Sequence, residues 1–127
     1  MVRAIIGKEH YRTELVVSGK TVIADEPLDV GGTDLGPAPG EYLMISLAAC
    51  TAITLRMYAD RKQWPADEIK VEVAFEKIEN VTHFQREIVL TGDLTKDQRE
   101  RLLQIANACP VHKTLTNPIQ IETRLVE

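Results

Sequence analysis

The sequence predicts an α+β fold with mostly antiparallel strand pairing. Three observations carry that expectation. Residues 42–55 form an apolar run too long and too even for a strand, and short β-prone runs lie on both sides of it. A second, amphipathic helical stripe with a capping signal follows the later strands.

The elements follow in chain order. Val2 to Ile6 reads as a first strand. Arg12 to Val17 and Thr21 to Ala24 flank Ser18-Gly19-Lys20 and read as a hairpin. From Asp25 to Pro39 the chain carries Gly31, Gly32, Gly36 and Pro37 and is expected to be loop. Pro39 suits a first helical turn, and Glu41 lies near the positive end of the helix dipole. The helix is expected from Pro39 to Arg61, stopped by Trp64-Pro65. Tyr42 to Leu55 is apolar on nearly every face, so this helix must be buried all round. A membrane span is the competing reading. Ser46, Thr51, Thr54 and Arg56 interrupt the run before about twenty apolar residues accumulate, and no membrane partner is expected.

Val71, Val73 and Phe75 alternate with Lys70, Glu72 and Glu76. Phe84, Ile88 and Leu90 share one face of the next strand and Gln85 and Glu87 the other, with a turn near Glu79-Asn80. Thr95 with Gln98 is a capping box, and Leu102, Ile105, Ala106 and Cys109 form one helical stripe. Pro110 breaks that helix and opens a short one through Leu115. Ile119, Ile121, Thr123 and Leu125 alternate with Gln120, Glu122 and Arg124 as a final strand.

With 127 residues the chain is expected to form one domain spanning 1–127. Hydrophobic residues at 44% and charged residues at 27% suit a folded domain and argue against disorder. Fifteen Lys and Arg against nineteen Asp and Glu give a net charge of −4, which argues against a nucleic-acid or anionic-membrane partner. The N-terminus has no apolar run of secretory length, so a cytoplasmic protein is expected. So small a chain cannot cover a wholly apolar helix of about twenty residues by itself. An obligate homodimer with the long helices near its centre is therefore expected.

Cys50 and Cys109 are too few for a disulfide scaffold and matter, if at all, as thiols. The plain reading of Cys50, between Ala49 and Thr51, is a small buried hydrophobe. Cys109-Pro110 stands where one helix ends and another begins, and the dipole of the second favours a thiolate there. His112 and Lys113 add positive charge nearby in sequence. A zinc site would need Cys50, Cys109, His112 and a further ligand, and the chain lacks paired CxxC spacing. A Cys–His nucleophile for acyl transfer would use either cysteine with His112 or His10, without a supporting signature. A dithiol that cycles through a disulfide needs proximity and one activated thiolate, and sequence spacing does not show proximity.

The segment GPAPGEYLMISLAACTAITLRMYADRKQWP, followed by CPVHKTL, resembles the OsmC/Ohr family of osmotically inducible and organic hydroperoxide resistance proteins, and most of all its short OsmC-like subgroup. The resemblance extends from about Tyr11 to Leu125. It implies an intertwined homodimer whose long central helices are packed by antiparallel sheets. It also implies a thiol-dependent peroxidase that reduces organic hydroperoxides, or hydrogen peroxide. By motif, Cys50 in AACTA matches the peroxidatic position and Cys109 in CPVH the resolving one. The dipole argument alone selects Cys109 as the more acidic thiol.

A thiol within an apolar helix needs a nearby cation to ionise. The family supplies an Arg from its N-terminal region, held by a Glu at the loop-to-helix junction. Arg12 is matched to the first, with Arg3 and Arg56 as rivals, and Glu41 to the second. The better-known members place that Glu where Gly40 stands here. Nine residues of helix rise roughly 13 Å, so either the helix starts after Glu41 or a partner subunit brings Glu41 to Cys50. The competing roles are a solvated strand residue for Arg12 and a helix-terminal charge for Glu41. No metal or organic cofactor is expected. The peroxide is expected near Cys50 at the subunit interface, with a small dithiol or a dithiol protein as reductant; Met44, Met57 and Tyr58 can line the site, core packing being the competing role of each. The alternative, from another class, is a non-catalytic stress-associated dimer that binds a small apolar or thiol-bearing ligand.

Overall fold

A computed structural model describes residues 1–126. The chain folds as two compact units, Met1–Met44 and a second beginning at Ile45. In the first, β1 (Val2–Ile6), β2 (Thr13–Val17) and β3 (Lys20–Ala24) form an antiparallel sheet in that order. Val2 lies opposite Val17, and Thr13 opposite Ala24. The β2–β3 turn places Ser18 and Gly19 at φ 50° and 74°, the left-handed pair that matches the twist of a two-residue hairpin.

The loop after β3 is organised by Asp25, whose side chain is only 2% exposed. Its carboxylate accepts the backbone N–H of Tyr11 at 3.1 Å, Glu26 at 2.7 Å, Thr33 at 3.4 Å and Leu35 at 3.2 Å, and the Thr33 hydroxyl at 2.6 Å. Gly32 and Gly36 let the loop fold back, because a Cβ at either would collide with the carbonyl of Glu26 or Ile23. The Thr33 hydroxyl bond, helped by the backbone donors and opposed by burial, holds the Asp25 carboxyl well below the usual carboxylate range. A depressed carboxyl stabilises the fold at pH values above its unfolded pKa and loses that contribution as pH falls through the folded one. Asp25→Asn is therefore expected to lower the melting temperature at pH 7 and to flatten its fall below about pH 4, as read by thermal melts across pH.

Helix α1 (Pro39–Lys62) begins in the first unit and continues in the second. Glu41 closes its start: Oε1 accepts the Ala38 N–H at 2.9 Å, while the Ala38 carbonyl accepts the N–H of Glu41 and Tyr42. By length and composition this helix is apolar enough to cross a membrane. One stripe of it, Leu47, Thr51, Leu55 and Ala59 at successive four-residue steps, is buried in the protein.

In the second unit β4 (Ala66–Ile78) and β5 (Val81–Gly92) pair antiparallel, with Ile69 opposite Leu90, Val71 opposite Ile88, Val73 opposite Arg86 and Phe75 opposite Phe84. Glu79 and Asn80 turn the hairpin with φ 51° and 68°. Helix α2 (Lys96–Ile105) starts with the expected box: Thr95 Oγ1 accepts the Gln98 N–H at 3.1 Å and Gln98 Oε1 accepts the Thr95 N–H at 3.0 Å. A 3-10 turn over Ala106–Ala108 then leads into α3 (Pro110–Leu115). Leu55, Ala59, Ala66, Leu94, Leu102 and Ala106 form the core, joined by Trp64, Ile69, Ile88 and Leu90.

Two expectations differ from the single chain. The strand expected at the C-terminus is not formed: residues 118–126 carry no helix or strand, and Ile119, Ile121 and Leu125 are 60%, 84% and 95% exposed. Alternation supplies a sidedness but no partner, and a strand exists only through a neighbouring edge. Helix α1 is buried along one stripe rather than all round, with Leu43, Ile45, Ile53 and Met57 exposed.

Candidate active site

The second unit brings the two cysteines together. Cys50 lies one residue before the buried Thr51 on α1 and is itself half-buried. Cys109 is fully buried at the joint between the 3-10 turn and α3. As the N-cap of α3 its Sγ accepts the His112 N–H at 3.5 Å. Pro110 follows at the first helical position, where its missing N–H costs nothing. Both are free thiols, near enough for each to act on the ionisation of the other.

Their environments push the thiols apart. Burial raises Cys50, and its donation to Cys109 raises it further. At Cys109 burial also raises the pKa, but the bond from Cys50 and the backbone N–H groups of His112 and Val111 outweigh it and bring the thiol below its ordinary value. These opposite shifts favour Cys109 over Cys50 as the seat of the charge in a singly ionised pair.

Arg86 was not singled out by the sequence reading. It stands on β5 with a half-buried side chain. Its Nη1 donates to Thr51 Oγ1 at 3.0 Å and to the Ala106 carbonyl at 3.3 Å, and its Nη2 to Asn107 Oδ1 at 2.9 Å and to His112 Nδ1 at 3.3 Å. Thr51 spends its own hydrogen on the Leu47 carbonyl at 2.7 Å, so it meets Arg86 as an acceptor. Burial, and then the charge of Arg86, lower the His112 pKa. The imidazole is accordingly neutral at pH 7, accepting at Nδ1 and protonated at Nε2. Beside these groups lies a cavity of about 220 Å³, lined by Leu47, Phe84, Leu115, Thr82, Arg86 and His112. A mainly apolar pocket with one cation suits a small organic molecule.

Arg12 and Glu41 lie in the first unit. Arg12 Nη1 pairs with Glu14 Oε1 at 3.4 Å, and Glu41 caps its own helix. Since α1 is continuous from Pro39, the alternative of a helix starting after Glu41 does not hold. Of the rivals, Arg3 is exposed on β1, and Arg56 is spent on Asp60 and on the carbonyls of Ala66 and Asp67. Tyr58 accepts from Arg101 Nε at 3.1 Å, and Met57 is exposed. Among the described residues, no group of three or more His, Cys, Asp or Glu is placed to hold a metal ion.

The chain is thus of the α+β class, with one free thiol on a long apolar helix and a second at a Cys-Pro helix start. The family model described as OsmC-like protein matches residues 32–124, and the chain belongs to that family. Solved structures agree in fold. An OsmC-like protein from Mycoplasma pneumoniae superposes with a TM-score of 0.78 at 16% identity, covering 91% of this chain and 85% of that one. A protein from Psychrobacter arcticus described as a putative osmotic stress induced and detoxification response protein gives 0.75 at 20% identity, covering 89% and 85%. The organic hydroperoxide resistance protein OhrB of Bacillus subtilis gives 0.62 at 22% identity, covering 91% and 89%. A comparison with curated protein sequences finds no match.

Proposed function

We propose that this chain is a thiol-dependent peroxidase that reduces organic hydroperoxides, or hydrogen peroxide, through Cys50 and Cys109. The observation that carries the reading is the meeting of two reduced thiols from distant parts of the chain, one half-buried and one fully buried. The hydroperoxide resistance named in the Bacillus subtilis relative supports the choice of substrate.

In the proposed cycle the Cys50 sulfur attacks the distal peroxide oxygen while its proton passes to the Cys109 thiolate. The O–O bond breaks, the alkoxide takes that proton and leaves as the alcohol, and Cys50 becomes a sulfenic acid. The Cys109 sulfur then attacks the Cys50 sulfur, and the displaced hydroxide takes a proton from solvent and leaves as water. Two electrons from the dithiol have reduced one hydroperoxide to alcohol and water. A small dithiol or a dithiol protein restores both thiols by exchange. The cycle uses no metal or organic cofactor.

The proposal includes a single domain over 1–127, an intertwined homodimer and a cytoplasmic setting. Exposed Ile53 and Met57 on α1, and exposed Ile119, Ile121 and Leu125 beyond α3, support the dimer; the mass in solution by light scattering tests it. A reducing compartment suits a resting dithiol. Arg12 and Glu41 keep the activating roles that the resemblance assigns them. Glu41 lies roughly 13 Å along an unbroken helix from Cys50, so in this proposal it reaches a dithiol only across the dimer.

The test mixes purified protein with an alkyl hydroperoxide and a dithiol and follows peroxide loss beside Cys50→Ser. Loss confined to the wild type is expected. Equal loss in both, or none in either, contradicts the peroxidase reading and leaves the non-catalytic ligand-binding dimer.

A further inference from the structure

Every hydrogen of the two terminal nitrogens of Arg86 is committed, and the four partners surround the dithiol in sequence. Thr51 directly follows Cys50 on α1. Ala106 and Asn107 precede Cys109, and His112 follows it. All four are neutral acceptors, three side-chain atoms and one backbone carbonyl, so the guanidinium joins separate segments of the chain rather than neutralising a carboxylate. A planar guanidinium holds several acceptors in fixed directions, which the single ammonium of a lysine cannot do. Two of the four ends are rigid. Thr51 and Ala106 are fully buried, and Ala106 belongs to the core cluster.

We propose that Arg86 is a positioning residue that clamps the segment on both sides of Cys109 onto the Cys50 turn of α1 and so sets the approach of the two sulfurs. Cys109 sits on a 3-10 turn and a helix of six residues, short elements that hold little order by themselves. Cys50 sits on a helix of 24 residues anchored in the core. Closing a disulfide requires the sulfurs to come within about 2 Å in a defined dihedral. The Cys109 side of the pair rests on the shorter elements, and Arg86 spans it from both flanks. The inference builds on the dithiol of the proposed function but not on peroxide as its oxidant.

The test therefore uses a glutathione redox buffer. Protein dithiol and glutathione disulfide give protein disulfide and two glutathiones, and the equilibrium constant reads how well the two sulfurs are held together. Arg86→Gln is expected to lower that constant at least tenfold, about 30 mV for the two-electron couple, in protein whose circular dichroism and melt show it folded. Arg86→Lys is expected to stay close to Arg86→Gln, because charge without the fork does not restore the clamp. Should Arg86→Gln not fold, Asn107→Ala, which removes one exposed arm, is expected to lower the constant two- to fivefold. A wild-type constant in folded Arg86→Gln, full restoration by lysine, or an unchanged constant in Asn107→Ala where Arg86→Gln does not fold would each overturn the clamp. A wild type that ignores hydroperoxide yet shows the expected losses in this buffer removes the peroxidase reading and leaves the clamp standing.

Discussion

Replacing Cys109 by serine is expected to end steady-state turnover, with the rate in the presence of dithiol falling at least about a thousandfold. In the proposed cycle Cys109 has two tasks. It carries the charge of the reduced pair and takes the Cys50 proton during attack, and it then displaces hydroxide from the sulfenic acid. A serine at the helix start can still accept the His112 N–H but is no thiolate and no nucleophile toward sulfur at neutral pH. Cys50 keeps the burial that raises its pKa. The first step in Cys109→Ser is therefore expected to speed up toward higher pH than in the wild type, since only the thiolate attacks. Without dithiol, each protomer should consume one peroxide and stop with a sulfenic acid that dimedone captures. Undiminished turnover in this variant would show that Cys50 works without a resolving partner.

The second large effect is one of stability. Leu102 of α2 is fully buried and packs with Leu55, Ala59, Ala66, Leu94 and Ala106. Leu102→Ala deletes the one fully buried side chain that α2 contributes to this core, where three of the five neighbours are alanines with no reach into the space. A cost of about 2–5 kcal/mol is expected, against a total of about 5–15 kcal/mol for an ordinary domain. The element it loosens leads directly into the turn that carries Cys109, so loss of the dithiol contact should accompany the loss of stability. Urea unfolding checks the first part, and faster alkylation of Cys109 in native protein the second. A shift below about 0.5 kcal/mol would mean that the core is not packed as described.

Much of the fold is legible in local chemistry. The Thr95–Gln98 box, the Pro39 start, the Glu79-Asn80 turn and the alternation along β4 and β5 each appear where the sequence expects them. The C-terminal alternation is equally clear, yet no strand forms, because pairing depends on an edge that no local pattern supplies. The same limit applies to the site. Nothing in the spacing of Cys50 and Cys109 says that they touch; the resemblance supplied the pair, and the tertiary fold supplies the contact. Burial raises both thiols, and the groups that reach the Cys109 sulfur then decide which of the two is the more acidic.

Arg86 did leave a trace. It shares the parity of Phe84, Ile88 and Leu90 on β5, a cation in the row that faces the protein interior. An inward charge in an alternating strand asks for buried acceptors, and the turns around Cys50 and Cys109 hold them. Arg12 and Glu41 were visible only through the family motif, and within their own unit they engage Glu14 and the start of α1.

The most direct measurement of the account is the intact mass of reduced protein after one equivalent of alkyl hydroperoxide, with the products mapped by proteolysis. A chain lighter by two hydrogens, carrying a Cys50–Cys109 bond within one protomer and matched by one alcohol released, is the predicted result. Two thiols still open to alkylation, or oxygen retained on either sulfur with no bond between them, would contradict it.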